Sequence, residues 1–197
     1  FKVGYSQAKD RIAVPMHDED GNPVGVVGRS IDKKRFTNSK KLPTSQTLFN
    51  LHRAKRASSS VIIVESSFDV MLLHQLGYSN AVACLMGHFS DIHAEQIDKY
   101  FDTCIIMTDN DDPEEHKQSQ CRKCYKEGLS SCKGHNPGRD LAANIKSKVN
   151  IDVLWAVSGG GVIYPHGAKA PGDMTDEENR FAIKNACNSL EYRLWYN

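Results

Sequence analysis

Residues 61–64, Val-Ile-Ile-Val, form an unbroken apolar run with no polar residue alternating through it. A strand that is apolar on both faces has to be covered on both faces, as a central strand of a parallel sheet is by helices above and below. The run ends on Glu65, and residues 66–77 read as a helix with Ser66 or Ser67 as its cap and Gly77 as its stop. The alternation continues with a strand at 81–87, a helix at 90–101, a strand at 103–111, a helix at 138–149 and a strand at 151–158. Residues 175–195 read as a final helix, with Thr175 and Glu178 in capping-box spacing. This alternation predicts an α/β fold built on a parallel sheet with right-handed crossovers.

The front of the chain has a different rhythm. Residues 11–16 read as a strand, Asp20-Gly21 as a hairpin turn, and residues 23–31 as the return strand, where Gly25 and Gly28 allow close backbone approach. A polar, basic, turn-rich stretch at 32–43 leads to a short helix at 47–57, and Ser58, Ser59 and Ser60 mark a boundary. The expected division is a small basic, mostly-β or α+β subdomain at 1–57, the parallel-sheet domain at 58–175, and a C-terminal helical segment at 176–197. Charge divides the same way. Residues 1–57 hold 12 Lys/Arg against 5 Asp/Glu, and the remainder holds 13 against 19. A basic front suits a polyanion and an acidic back suits divalent cations. No apolar run approaches the roughly 18–20 residues that span a bilayer, and no signal peptide opens the sequence, so no membrane is expected and the location expected is cytoplasmic. The chain opens on Phe1, as expected for a piece of a longer protein.

Ligands of open parallel sheets bind outside the carboxyl ends of the strands. Glu65 closes the first central strand, with Asp69 one helical turn on. Asp109 and Asp111 close the third, one residue apart, and Asp112 follows. Carboxylates converging on one rim repel unless cations lie between them, and oxygen-only donors suit Mg²⁺ or Mn²⁺.

The segment 61–77, VIIVESSFDVMLLHQLG, resembles the glutamate motif of TOPRIM domains, and 104–111, CIIMTDND, resembles their Asp-x-Asp motif. TOPRIM domains occur in bacterial-type primases, type IA and type II topoisomerases and some nucleases. The front separates these: RIAVPMHDEDGNPVGVVGRSI, then RFTNSK, then TLFNLHRAK, is similar in order and kind to the basic subdomain that precedes TOPRIM in DnaG-type primases of bacteria and phages. The resemblance spans nearly the whole chain. It implies a TOPRIM-type sheet behind a small basic subdomain, and the catalytic core of a DNA primase making short RNA primers on single-stranded DNA. It implies Glu65, Asp109 and Asp111 as catalytic ligands of Mg²⁺ or Mn²⁺, with Asp69 as an auxiliary ligand. Arg29, Lys33, Lys34, Arg35, Asn38 and Lys41 become the groove for template, primer and nucleotide, with Arg29 foremost. The implied partners are a single-stranded DNA template, ribonucleoside triphosphates and a replicative helicase, fused or separate, in a bacterial or phage-infected cell. The rival readings are a TOPRIM nuclease or topoisomerase, and an inactive single-stranded DNA-binding module of a primase–helicase.

This chain departs from the family pattern at three places. Ser66 stands where glycine is usual, and Ala170 where an aspartate is common, with Asp173 close by. The third departure is an insertion at 113–137, which carries Cys121-x2-Cys124-x7-Cys132-x2-His135. Two chelating pairs of this kind suffice for a closed tetrahedral Zn²⁺ site, with His116 as an alternative ligand. Lys117, Arg122, Lys123, Lys126, Lys133 and Arg139 surround it as candidate nucleic-acid contacts, and the insertion together with the compact front points to a phage or plasmid source. Cys84, Cys104 and Cys187 lie in apolar elements and are expected in the core.

Overall fold

The computed structural model describes residues 1–32, 35–85, 87–110, 136–157 and 168–196. Its front is a four-stranded antiparallel sheet in the order β1 (Gly4–Ser6), β2 (Arg11–His17), β3 (Pro23–Ser30), β4 (Phe36–Asn38). Asp18 fixes the β2–β3 hairpin, its Oδ1 accepting from the N–H groups of Asp20 and Asn22 at 3.0 and 2.8 Å. The turn after β4 lies across β3 at Gly25. A Cβ there would come within 2.6 Å of Ser39 Oγ and 2.8 Å of Leu42 Cδ1, which is the close approach expected of this glycine. Val14, Met16 and Val27 point to one face and are buried there.

What they are buried against is the second sheet, of five strands in the order Ala81–Ala83, Ser60–Val64, Thr103–Ile106, Asp152–Trp155, Cys187–Asn188. Its elements follow a single turn of helix α1 (Leu51–Ala54): β5 (Ser60–Val64), α2 (Ser67–Gln75), β6 (Ala81–Ala83), α3 (Asp91–Tyr100), β7 (Thr103–Ile106), α4 (Pro137–Lys148), β8 (Asp152–Trp155), α5 (Asp176–Lys184), β9 (Cys187–Asn188) and α6 (Ser189–Tyr196). All neighbouring pairs are parallel except β8 with β9. This is the expected α/β class: a mostly parallel sheet flanked by helices and preceded by a small β-rich basic unit. Ile63, Val61 and Ile106 pack on the side of α3 and α4, with Ile97, Leu141 and Ile145. Ile62 and Val64 pack on the other side with α2, α5 and the front sheet, in one apolar cluster that contains Val14, Met16, Val70, Leu73 and Ile183. The apolar run of β5 is therefore covered twice, as its composition requires.

Several elements differ from the sequence expectation, and the strands expected over 103–111 and 151–158 already end at Ile106 and Trp155. The helix expected over 47–57 shrinks to α1, because Phe49 pairs instead with Ala83 across the edge of β6 through N···O bonds of 2.9 and 3.3 Å. Asn50 then takes a left-handed φ of 70° and donates from Nδ2 to the carbonyl of Ala81 at 2.9 Å. The strand expected over 81–87 ends at Ala83, since Leu85 turns the chain at φ 52°. The expected helix over 175–195 is broken by β9: Cys187 pairs with Trp155, and Asn188 Oδ1 restarts the helix by accepting from the N–H groups of Leu190 and Glu191 at 2.9 and 3.0 Å. Cys84, Cys104 and Cys187 are buried as expected. Among the described residues no helix is long and apolar enough to cross a membrane.

Candidate active site

Strands β5 and β7 are neighbours in register, Ile63 opposite Ile106, so whatever follows each strand emerges side by side. Glu65 follows β5 directly. Its neighbour Ser66 is extended and caps α2, accepting from the Phe68 N–H at 3.0 Å, which turns the chain into the helix and leaves Glu65 at the rim. Beyond β7, Thr108 is buried and Asp109 half-buried. The Asp109 N–H donates to Glu65 Oε1 at 3.0 Å, so the two strand ends are joined. Both residues line one cleft of about 210 Å³. Its far wall comes from the front sheet, with Val27 of β3 and Phe36 and Asn38 of β4, and Leu85 and Gly87 close another side.

The loop after β7 is held from behind by α4. A Cβ on Gly138 would fall 1.6 Å from the Asp109 carbonyl oxygen, so only glycine permits the helix to seat there. Thr108 Oγ1 donates to the Gly138 carbonyl at 2.9 Å. Asn136 caps α4, accepting from the Arg139 N–H at 3.0 Å, and its Nδ2 donates to Asn110 Oδ1 at the same distance. The Asn110 N–H in turn donates to the Lys169 carbonyl at 2.7 Å. Thr108, Asn110, Asn136 and Gly138 had not been singled out as site residues. Local signals are the segment 104–111, which contains Thr108 and Asn110, the glycine that opens the helix expected at 138–149, and Asn136-Pro137, a cap followed by proline at the first helical position.

Asp69 lies in the first turn of α2 and is 6% exposed. Its Oδ1 accepts from the Gly172 N–H at 3.2 Å. Burial pushes its carboxyl up to about 6, against the lowering pull of the Gly172 N–H, the Ser66 side chain and the charge of Arg29. Asp173 is exposed, and its Oδ2 accepts from the N–H groups of Lys169 and Ala170 at 3.1 and 3.2 Å, closing its own turn. Cys84, beside Glu65 and Asp109, has its thiol pushed far up, first by burial and then by those two carboxylates, and stays a packed thiol.

Arg29 is opposite Phe36 in the register of β3 and β4. Its guanidinium lies 4.6 Å from the ring centre of Phe68 and 5.6 Å from that of Phe36, bridging the front sheet and α2. Among the described residues it meets no hydrogen-bond acceptor, so its donors are available to an anion. Asn38 lines the cleft, whereas Arg35 and Lys41 are exposed and do not line it. Lys33, Lys34, Asp111, Asp112, His116, Cys121, Cys124, Cys132 and His135 lie outside the described residues. Among the described residues no group of three or more His, Cys, Asp or Glu side chains is assembled as a metal site. Glu65 and Asp109 nonetheless supply oxygen donors only, converging at one rim, which is the donor chemistry that Mg²⁺ and Mn²⁺ select.

Residues 59–126 match the protein family described as Toprim domain. The DNA primase of Mycoplasma pneumoniae is 34% identical over 116 residues, which are 54% of this chain and 19% of that protein. The chain thus spans about a fifth of the length of the curated relatives it matches. Among solved structures, a DnaG primase catalytic domain bound to single-stranded DNA superposes with a TM-score of 0.64 at 19% identity, over 91% of this chain and 52% of that one. A DNA primase domain from Pseudomonas aeruginosa superposes with a TM-score of 0.62 at 21% identity, over 97% of this chain and 58% of that one. The chain has the fold of DnaG-type primase cores, with the Toprim match lying in the part that forms the parallel sheet.

Proposed function

We propose that this chain is the catalytic core of a DNA primase, joining ribonucleotides into short RNA primers on single-stranded DNA. The observation that carries the reading is the meeting of Glu65 and Asp109 at the carboxyl ends of adjacent parallel strands, facing a cleft whose opposite wall is the basic front sheet. The likeness to a DnaG catalytic domain bound to single-stranded DNA supports the choice of substrate.

Glu65, Asp109 and Asp111 are the residues that would hold Mg²⁺ or Mn²⁺, which supply a nucleophilic 3′-oxygen and neutralise triphosphate charge when bound. The remaining work falls to the chain itself. Residues 58–175 position the reacting groups, and residues 1–57 hold template and primer. Arg29, fixed between two rings, offers a planar fork of donors to a phosphate. Asn38 on the cleft wall can hydrogen-bond a base or ribose of the bound nucleotide. Lys33, Lys34, Arg35 and Lys41 extend the positive track along the template backbone. In each addition the 3′-hydroxyl of the growing strand gives up its proton to water, its oxygen bonds to the α-phosphorus, the α–β bridge breaks, and pyrophosphate leaves with the electron pair. Residues 176–197 brace the sheet from the side of β8 through β9. In the insertion, Cys121, Cys124, Cys132 and His135 have the spacing of two chelating pairs and would hold a structural Zn²⁺. The setting is cytoplasmic, in a bacterial or phage-infected cell, with a replicative helicase as partner.

The test is to supply mixed-sequence single-stranded DNA, labelled ribonucleotides and Mg²⁺ or Mn²⁺ to the full chain. Short RNA products with intact DNA support the reading. Metal-dependent cutting of the DNA would replace it with a nuclease, and bound, intact DNA without RNA would replace it with an inactive module.

A further inference from the structure

Asp69 and Asp173 belong to segments that meet at the rim of the parallel sheet, yet each carboxylate is engaged with main-chain N–H groups. Asp173 Oδ2 accepts from Lys169 and Ala170, which closes the 169–173 turn on itself. Asn179 fastens the same turn from α5, its Nδ2 donating to the Pro171 carbonyl at 3.0 Å. Asp69 fastens it from α2 through the Gly172 N–H at 3.2 Å. The contact is close, since a Cβ on Gly172 would lie 3.3 Å from Asp69 Oδ1. From this turn the Lys169 carbonyl reaches out and accepts the Asn110 N–H at 2.7 Å. Asn110 adjoins Asp109. Two hydrogen bonds, with a closed turn between them, therefore connect a carboxylate on α2 to the main chain of the Asp109 loop.

We propose that Asp69 is a positioning residue: its carboxylate anchors the 169–173 turn, and the Lys169 carbonyl of that turn sets the Asp109 loop. The inference rests on the reading of Asp109 as a metal ligand, and assigns Asp69 a task other than direct ligation. A buried acid at 6% exposure, with one oxygen on the Gly172 N–H, is placed to brace a backbone. In the turn itself, position 170 is alanine, and Asp173 uses its Oδ2 to close the turn.

The conservative variant separates the two roles. Asp69→Asn keeps an oxygen acceptor for the Gly172 N–H and removes the charge, whereas Asp69→Ala removes both. Two readouts on the full chain are independent of RNA synthesis: Mn²⁺ affinity from the electron paramagnetic resonance of free Mn²⁺, and hydrogen exchange at the amides of Gly172 and Asn110. Asp69→Asn is expected to bind Mn²⁺ within about threefold of wild type and to keep both amides protected, since a neutral amide serves the brace. Asp69→Ala is expected to exchange both amides about tenfold faster and to bind Mn²⁺ about tenfold more weakly, the usual scale for loss of a group behind a ligand. Loss of Mn²⁺ binding in Asp69→Asn would overturn the proposal in favour of direct ligation. Unchanged protection of Asn110 in Asp69→Ala would also overturn it. Should Asp69→Ala not fold, the Asn variant decides alone. A wild-type chain that bound no Mn²⁺ would end the metal reading, while the exchange arm would still test the brace.

Discussion

The Asp109 N–H donates to Glu65 Oε1 at 3.0 Å, so the acid that closes one central strand fixes the backbone that presents the acid of the next. Glu65 therefore has a structural part beside the metal-binding part proposed for it, and the two can be separated. Glu65→Gln keeps an oxygen for the Asp109 N–H and should unfold in urea within about 0.5 kcal/mol of wild type, while Mn²⁺ binding is lost with the charge. Glu65→Ala leaves that N–H without its acceptor and should cost about 1–2 kcal/mol. Equal stability of the Ala variant and wild type would show that the hydrogen bond does not hold the loop.

Gly138→Ala should be the most damaging single-methyl change in the described chain. The added Cβ would meet the Asp109 carbonyl oxygen at 1.6 Å, and both partners are backbone, so neither can rotate away. The expected cost is about 1–3 kcal/mol, with weakened Mn²⁺ binding as the Asp109 loop shifts. Gly4→Ala, with nothing within 4 Å of its Cβ, is the control and should stay within about 0.5 kcal/mol.

Arg29→Ala should lower the salt dependence of single-stranded DNA binding. One lost phosphate contact removes about 0.7 from the slope of log K against log salt. Arg29→Lys keeps the charge but not the planar stacking on Phe36 and Phe68, and should bind between the two. An unchanged slope in Arg29→Ala would remove this residue from the groove.

Stability should fall on acidification through a histidine far from the chemistry. His93 is fully buried in the first turn of α3, where its Nδ1 accepts from the Ser90 N–H at 3.3 Å. Burial first, and then the nearby charge of His88, lower its pKa to about 4. The unfolded chain takes up the proton near pH 6.5 and the folded chain only near 4, so this stability is complete above about 6.5 and is lost towards 4. The full effect is up to about 3 kcal/mol. His93→Gln, which preserves the capping box, should reduce the fall of the urea midpoint across that window, leaving the part due to His52, which burial also lowers to about 4; an unaltered slope would contradict the assignment.

Much of this was legible in the chain because it is written locally. The apolar run before Glu65 and the one before Asp109 specify doubly covered strands, and adjacent parallel strands bring their terminal acids to one rim. What was not legible depends on partners remote in sequence. Phe49 leaves its helical pattern because the Ala83 edge is open to it, and β9 is two residues long and exists only because Trp155 pairs with it. The contact of Thr108 with Gly138 spans 30 positions, and that of Asp69 with Gly172 spans 103; neither has a period or motif to announce it. Arg29 was found by its place in a motif, but the two rings that aim it come from β4 and α2, which meet only in the fold.

The central claim is that Glu65 and Asp109 carry metal-dependent RNA synthesis on single-stranded DNA, and the most direct measurement compares wild type with Asp109→Asn. Both would be given the same template, labelled ribonucleotides and Mg²⁺ or Mn²⁺, with DNA binding measured alongside. Wild type should make short RNA products and Asp109→Asn about 100-fold fewer or less, with DNA binding retained. RNA made equally well by Asp109→Asn would contradict the claim.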